Sequence, residues 1–271
     1  MNFIKLLFGV LTIFALQTFA QVNLEKGLVA YYPFSGNTAD SSGNGHEGIN
    51  HGATLTVDRY GQPNSAYYFN GSDTCMIEIP DHPDFNFHDS LTFVLWYRYD
   101  NNNKNSRSTL FNKGGADTSA YWGFRRYDFG ELIFYNYPDG QWRAWLGQRY
   151  QNLEDGNWHW IAIRFHSKAS DAFVDGELST GGSSAFEKFL ASNDSSLTIG
   201  NVLGLSSRGW AGEIDEIRFY NRYLSNTEIS RLYSDPTSVE NDEKLATEFK
   251  LFQNYPNPFN PTTTVSSLQL T

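Results

Sequence analysis

Along most of this chain apolar and polar residues alternate with a period of two, and that pattern leaves few folds open. The cleanest run is SLTFVLWYRYD at residues 90–100, where Leu91, Phe93, Leu95 and Tyr97 fall on one face and Thr92, Val94, Trp96 and Arg98 on the other. That spacing specifies a half-buried strand and is wrong for a helix. Shorter runs of the same kind occupy 28–34 (Leu28, Ala30, Tyr32 and Phe34 on one face), 66–71, 76–80, 108–115, 121–127, 131–137, 141–147, 157–166, 171–178, 196–201 and 213–220. Between them lie turn-formers: SGNTADSSGNGHEG at 35–48, Pro138-Asp139-Gly140 and Asp175-Gly176. Their side chains and backbones favour tight reversals. With 21 Phe, 16 Tyr and 7 Trp to fill the strands, the pattern predicts an all-β, two-sheet antiparallel sandwich. One helix is expected, at 226–233. Ser225 can cap it, Glu228 completes a capping box, and Ile229 and Leu232 would face the sandwich.

The two ends have a different character. Residues 1–20 carry Lys5, an apolar run from Leu6 to Leu16 and the small residues Thr18 and Ala20. This reads as a signal peptide cut after Ala20, which makes the protein secreted, extracellular or held at the outer cell surface, with no membrane insertion after cleavage. The main domain then spans 21–235. Residues 236–250 form an acidic linker without a period, and 251–271 begin a further, incomplete piece.

Charge and cysteine usage narrow the partners. The leader removes Lys5 from the 20 basic residues, leaving 19 against 30 acidic ones, a net charge of −11. Such a chain repels phosphate backbones, so nucleic acid is not an expected partner. Cys75 is the single cysteine. It cannot make an internal disulfide and is expected in or near a strand as a small apolar residue. His46, His51, His82, His88, His159 and His166 are scattered, without the spacing of a zinc motif.

Four blocks, in order, resemble a known family: GLVAYYPFSGNTADSSGNGHEG (27–48), SAYYFNGSDTCMIEIPDHPDFNFHDSLTFVLWYR (65–98), GNWHWIAIRFHSKASDAFVDGEL (156–178), and LTIGN with WAGEIDEIRFYNRYLSNTEISRLY (197–233). They are similar to the bacterial laminin-G-like jelly-roll domains of the concanavalin A-like lectin/glucanase superfamily. The resemblance implies a jelly-roll sandwich over about residues 22–235, with its one short helix near the C-terminal end. Separately, FQNYPNPFNPTTT near the C-terminus resembles the opening of the type IX (Por) secretion sorting domain, here cut after about one strand.

Within that frame three kinds of site can be weighed. Alternation on 213–220 would put Asp215 in line with Ile217 and Phe219, where a bare carboxylate is costly. The loop around Asp40 is rich in free carbonyls. In domains of this kind the first loop and last strand lie close together. Asp40 and Asp215, with carbonyls near Gly43 and Gly45, are therefore the expected ligands of a structural calcium, the alternative being that Asp40 caps a turn and Asp215 accepts hydrogen bonds from that turn. For catalysis, a laminarinase-type strand needs E-x-D-x-x-E, and Glu213-Ile214-Asp215-Glu216-Ile217-Arg218 has Arg218 in place of the last carboxylate. No enzyme activity is expected. For sugar recognition, residues 121–150 combine aromatic rings with planar polar groups, and Tyr135, Tyr137, Trp142, Trp145 and Arg143 are the expected ligand-binding residues. The function expected is a non-catalytic module for extracellular polysaccharide or glycan. The alternatives are an adhesion module for a surface protein and, behind that, a laminarinase-like hydrolase.

Overall fold

The computed structural model describes residues 22–102, 107–115, 121–127, 131–137, 143–149, 153–166, 169–182 and 192–234. The signal peptide, the linker and the C-terminal piece expected from the sequence lie outside these residues. The chain divides into two units, Met1–Ser234 and Asp235–Thr271, and the account below concerns the first.

In chain order the strands are β1 (Leu28–Tyr32), β2 (Ile49–His51), β3 (Thr54–Thr56), β4 (Ala66–Asn70), β5 (Met76–Ile79), β6 (Ser90–Tyr99), β7 (Ser108–Lys113) and β8 (Tyr121–Tyr127). They continue with β9 (Glu131–Tyr137), β10 (Arg143–Arg149), β11 (Trp158–His166), β12 (Ala169–Val174), β13 (Glu177–Gly182), β14 (Leu197–Ile199) and β15 (Ala211–Tyr220), followed by helix α1 (Asn226–Ser234). The expected all-β sandwich with one short C-terminal helix is what forms. An eight-stranded sheet runs β13-β12-β11-β6-β15-β4-β3, with β1 also paired to β15, and a seven-stranded sheet runs β10-β9-β8-β7-β14-β5-β2. The short strands β2 and β3 fall in a stretch whose sequence has no clear alternation.

Period two places the core. On β6, Leu91, Phe93, Leu95 and Tyr97 enter the layer between the sheets, while Val94 and Trp96 pack outward under the helix. The inter-sheet layer is aromatic: Phe93 meets Phe111 edge-on at 4.8 Å, and Phe111 meets Phe219 at 5.1 Å. Offset and edge-on ring contacts of this kind add stability beyond the area they bury. Cys75 is a buried free thiol beside β5, and burial raises its pKa.

Helix α1 forms as its capping box predicts. Ser225 N–H donates to Glu228 Oε2 at 2.8 Å, and Glu228 N–H donates to Ser225 Oγ at 3.3 Å. Ile229 and Leu232 pack on Trp160, Phe173 and Val94, covering part of the outer face of the eight-stranded sheet. Tyr233 stacks on Trp96 at 5.8 Å.

Two irregularities change the parity read from the sequence. Register shifts between Leu28 and Ala30, so Ala30, Tyr32 and Phe34 enter the core while Leu28 packs on the helix side. On β15 a bulge falls between Asp215 and Arg218, with Glu216 at φ 54°. An extra residue on one strand reverses which faces later residues occupy.

On β11, His159 sits between two carboxylates, Asp175 at 2.9 Å from Nδ1 and Asp155 at 3.1 Å from Nε2. The bond to Asp175 is the largest cause raising its pKa. A raised imidazole pKa contributes stability that is complete below the unfolded value of about 6.5 and is lost as pH rises through the folded value. Thermal melts from pH 6 to pH 9 should therefore show a falling melting temperature. His159→Gln should flatten that fall; an unchanged slope would remove His159 as its source.

Candidate functional site: the tyrosine–arginine face

Helix α1 packs on the outer face of the eight-stranded sheet over β6, β11 and β12, and among the described residues no α-helix lies on the seven-stranded sheet. Alternation along β8 sorts its residues. Trp122 and Phe124 turn into the core, and Arg126 pairs with Glu154 on the inner side. Tyr121, Arg125 and Tyr127 turn outward and are half-buried. The Arg125 guanidinium lies over the Tyr135 ring at 4.6 Å and the Tyr127 ring at 5.1 Å, and Arg107 lies over Tyr127 at 4.4 Å. Tyr121 meets Tyr135 edge-on at 6.0 Å. Burial lowers the Arg125 pKa, and guanidinium–ring stacking compensates part of that desolvation.

A glycine holds this arrangement together. A Cβ on Gly123 would stand 2.7 Å from Tyr135 Oη and 2.6 Å from the Phe111 carbonyl oxygen. Its absence lets the Tyr135 side chain cross β8 and donate its hydroxyl to Asn112 Oδ1 on β7. The Asn112 side-chain amide in turn donates to the Gly114 carbonyl at 2.6 Å.

The expected sugar-binding residues divide accordingly. Tyr135 is buried, at 1% exposure, and anchors the face from beneath instead of offering a ring to solvent. Its pKa is raised by that burial. Trp122, another aromatic of the stretch, belongs to the core. The backbone of Tyr137 pairs with Tyr121, that of Arg143 with Asn136 and that of Trp145 with Phe134; their side chains, and all of Trp142, lie outside the described residues. Tyr127 and Arg107 join the face without having been singled out in the sequence. Alternation from Tyr121 through Arg125 would have indicated Tyr127.

A small cleft with room for little more than a water molecule is lined by Tyr97, Tyr99, Arg126, Leu132, Leu153, Glu154 and Trp210. The Arg126–Glu154 ion pair belongs to its wall. The Tyr99 hydroxyl and Trp210 Nε1 are buried there without a hydrogen-bond partner among the described residues.

The carboxylates weighed for calcium and for catalysis are engaged elsewhere. Asp40 Oδ1 accepts from the N–H groups of Tyr31 and Ser42, both at 2.9 Å. Its Oδ2 accepts from Ser42 Oγ at 2.8 Å and His46 N–H at 3.0 Å. Four donors on one carboxylate make it the hub of its turn, as the alternative had it for Asp40 though not for Asp215, and Gly43 and Gly45 take the positive φ angles that turn requires. Asp215 does not face the core beside Ile217 and Phe219, because the bulge at Glu216 sets it on the outer face opposite Trp96. There it meets Arg59 at 3.1 Å, and Arg59 lies over Trp96 at 4.6 Å. An Asp40–Asp215 calcium cradle does not fit this bonding. Glu213 is held bidentately by Arg98 at 3.0 and 2.6 Å. Glu216 meets Arg218 at 3.1 Å and accepts from Tyr31 Oη at 2.9 Å. All three carboxylates of β15 are thus paired with an arginine.

The profile of the concanavalin A-like lectin/glucanases superfamily (Laminin_G_3) matches residues 43–230. No curated protein matches the chain. Among solved structures, domain 4 of AbnA, a GH43 extracellular arabinanase from Geobacillus stearothermophilus in complex with arabinotriose, is 21% identical with a TM-score of 0.60, covering 76% of this chain and 98% of that one. The binding domain of Paraclostridial Mosquitocidal Protein 1 is 17% identical with a TM-score of 0.64, covering 78% of this chain and 52% of that one. The botulinum neurotoxin serotype D ligand binding domain in complex with N-acetylneuraminic acid is 13% identical with a TM-score of 0.60, covering 77% and 51%. The chain spans about half the length of these two toxin domains. At such identities the likeness shows the fold alone.

Proposed function

The chain belongs to the concanavalin A-like lectin/glucanases superfamily, and from that footing we propose that it is an exported, non-catalytic module that binds extracellular carbohydrate on the tyrosine–arginine face of its seven-stranded sheet. The observation that carries this reading is the set of stacked guanidinium and phenol groups, Arg107, Tyr127 and Arg125, on the outward side of β8. A pyranose presents an apolar face that a ring can cover and an edge of hydroxyls that a guanidinium can meet, so planar groups of both kinds on one surface suit it. Pre-stacked arginines also lose less freedom on binding than free ones.

Three further observations support the reading. The arabinanase domain and the serotype D domain are solved with sugars bound. The carboxylates of β15, each held by an arginine, are poorly placed for the free acid and nucleophile that retaining hydrolysis requires. The apolar leader at 1–20 and the acidic balance of the rest suit a protein exported from the cell.

Screening the purified protein on an array of plant, algal and bacterial polysaccharides, arabinan included, is expected to give a glycan that binds. Arg125→Ala and Tyr127→Ala should each weaken it about tenfold, the equivalent of about 1.4 kcal/mol. Binding that survives both substitutions would move the site elsewhere on the module. Release of reducing sugar from any bound glycan would overturn the non-catalytic reading.

A further inference from the structure

We propose that His46, His82 and Asp84 form a three-ligand site for a borderline divalent cation of the zinc class. Thirty-six residues separate the two histidines in sequence, yet one ligand atom from each of the three side chains falls within 4.8 Å of the others. His46 Nε2 lies 3.1 Å from Asp84 Oδ2, and His82 Nδ1 lies 3.3 Å from the same oxygen. Ligands about 2.0–2.2 Å from a tetrahedral zinc ion are separated by roughly 3.3–3.5 Å, so these spacings are close to two edges of such a site.

The three side chains already converge on one oxygen. Asp84 Oδ2 is shared between His46 Nε2 and His82 Nδ1. His82 Nδ1 also accepts the Asp84 N–H at 3.3 Å, and coordination through that nitrogen replaces this long hydrogen bond after a small rotation of the half-exposed His82 ring.

One ligand is preorganised and two are accessible. The His46 backbone is pinned by its N–H to Asp40 at 3.0 Å and by its carbonyl, which accepts Tyr32 Oη at 2.7 Å. Its ring packs on Phe85 at 4.9 Å, and its side chain is only 4% exposed. His82 and Asp84 are about half exposed, so an ion can enter from solvent. Two imidazoles and one carboxylate suit zinc, copper or nickel, whereas calcium prefers an all-oxygen set. Bound metal would tie the Asp40 loop to the turn at Pro83–Phe85 and keep a coordination position open to water or an exogenous ligand.

Titration calorimetry on the untagged, metal-stripped chain tests this with zinc chloride. One zinc per chain is expected, with a higher melting temperature in zinc than in equimolar calcium. His82→Ala and Asp84→Asn, both at exposed positions, should each weaken zinc binding at least about tenfold. Independently of any variant, cobalt(II) on the wild-type chain should give the intense visible bands of four- or five-coordination. No zinc binding, unchanged affinity in either variant, an equal thermal shift from calcium, or a pale octahedral cobalt spectrum would each overturn the proposal.

Discussion

Replacing Arg59 with methionine is expected to destabilise the domain by about 3 kcal/mol, because it leaves the Asp215 carboxylate buried without its cation. The two groups meet at 3.1 Å, with side-chain exposures of 8% and 3%. Burial already holds the Asp215 pKa well above the usual carboxylate range, with Glu216 adding to the shift and Arg59 opposing it. Removing Arg59 pushes it further up. A folded carboxyl with a raised pKa takes up protons before the unfolded chain does, so the variant should regain stability as pH falls from neutral towards the unfolded value of about 3.9. Urea denaturation at pH 7 and pH 5 measures both effects. Arg59→Met combined with Asp215→Asn should recover much of the loss, since no unpaired charge is then left. A single variant as stable as wild type at pH 7 would show that Asp215 is already protonated there and that the ion pair contributes nothing.

Gly212→Ala should be comparably damaging, by about 3 kcal/mol, for a reason of shape. Gly212 lies on β15 opposite Tyr99 of β6, in the middle of the eight-stranded sheet. Its φ of +139° disfavours any side chain, and a Cβ would stand 2.1 Å from the Arg98 carbonyl oxygen. The neighbour is backbone, so relief requires the strands to separate; strain and overpacking each cost roughly 1–3 kcal/mol. Gly36→Ala is the matched control. Its φ is +82°, but nothing lies within 4 Å of the added methyl, so only the backbone term of about 1 kcal/mol applies. Equal losses in the two variants would show that the close approach to β6 is unimportant.

Where each carboxylate of β15 points bears directly on function, and the sequence misplaces it. Strict alternation over 213–220 sets Asp215 with Ile217 and Phe219, which invites a metal to neutralise it. The bulge at Glu216 breaks that parity, and Arg59, from a loop 156 residues away in sequence, supplies the charge instead. No local signal announces such a bulge, because Glu216 is an ordinary strand residue in every respect except its φ.

The sequence by itself determined the sandwich. Alternation on β6, the aromatic strands and the Ser225–Glu228 cap are local properties, set by side-chain periodicity and backbone hydrogen bonding within a few residues. It also determined the family, through four blocks in order. The tertiary structure alone decided which side chains meet on each surface. Pairing of β8 with β9 lays Arg125 over Tyr135 above the gap at Gly123, and buries a tyrosine that composition would offer to a sugar. Six histidines without a zinc spacing read as scattered, yet the fold sets His46 of one loop beside His82 and Asp84 of another. Such contacts depend on how strands distant in sequence register against each other, and registry is fixed only when the whole core packs.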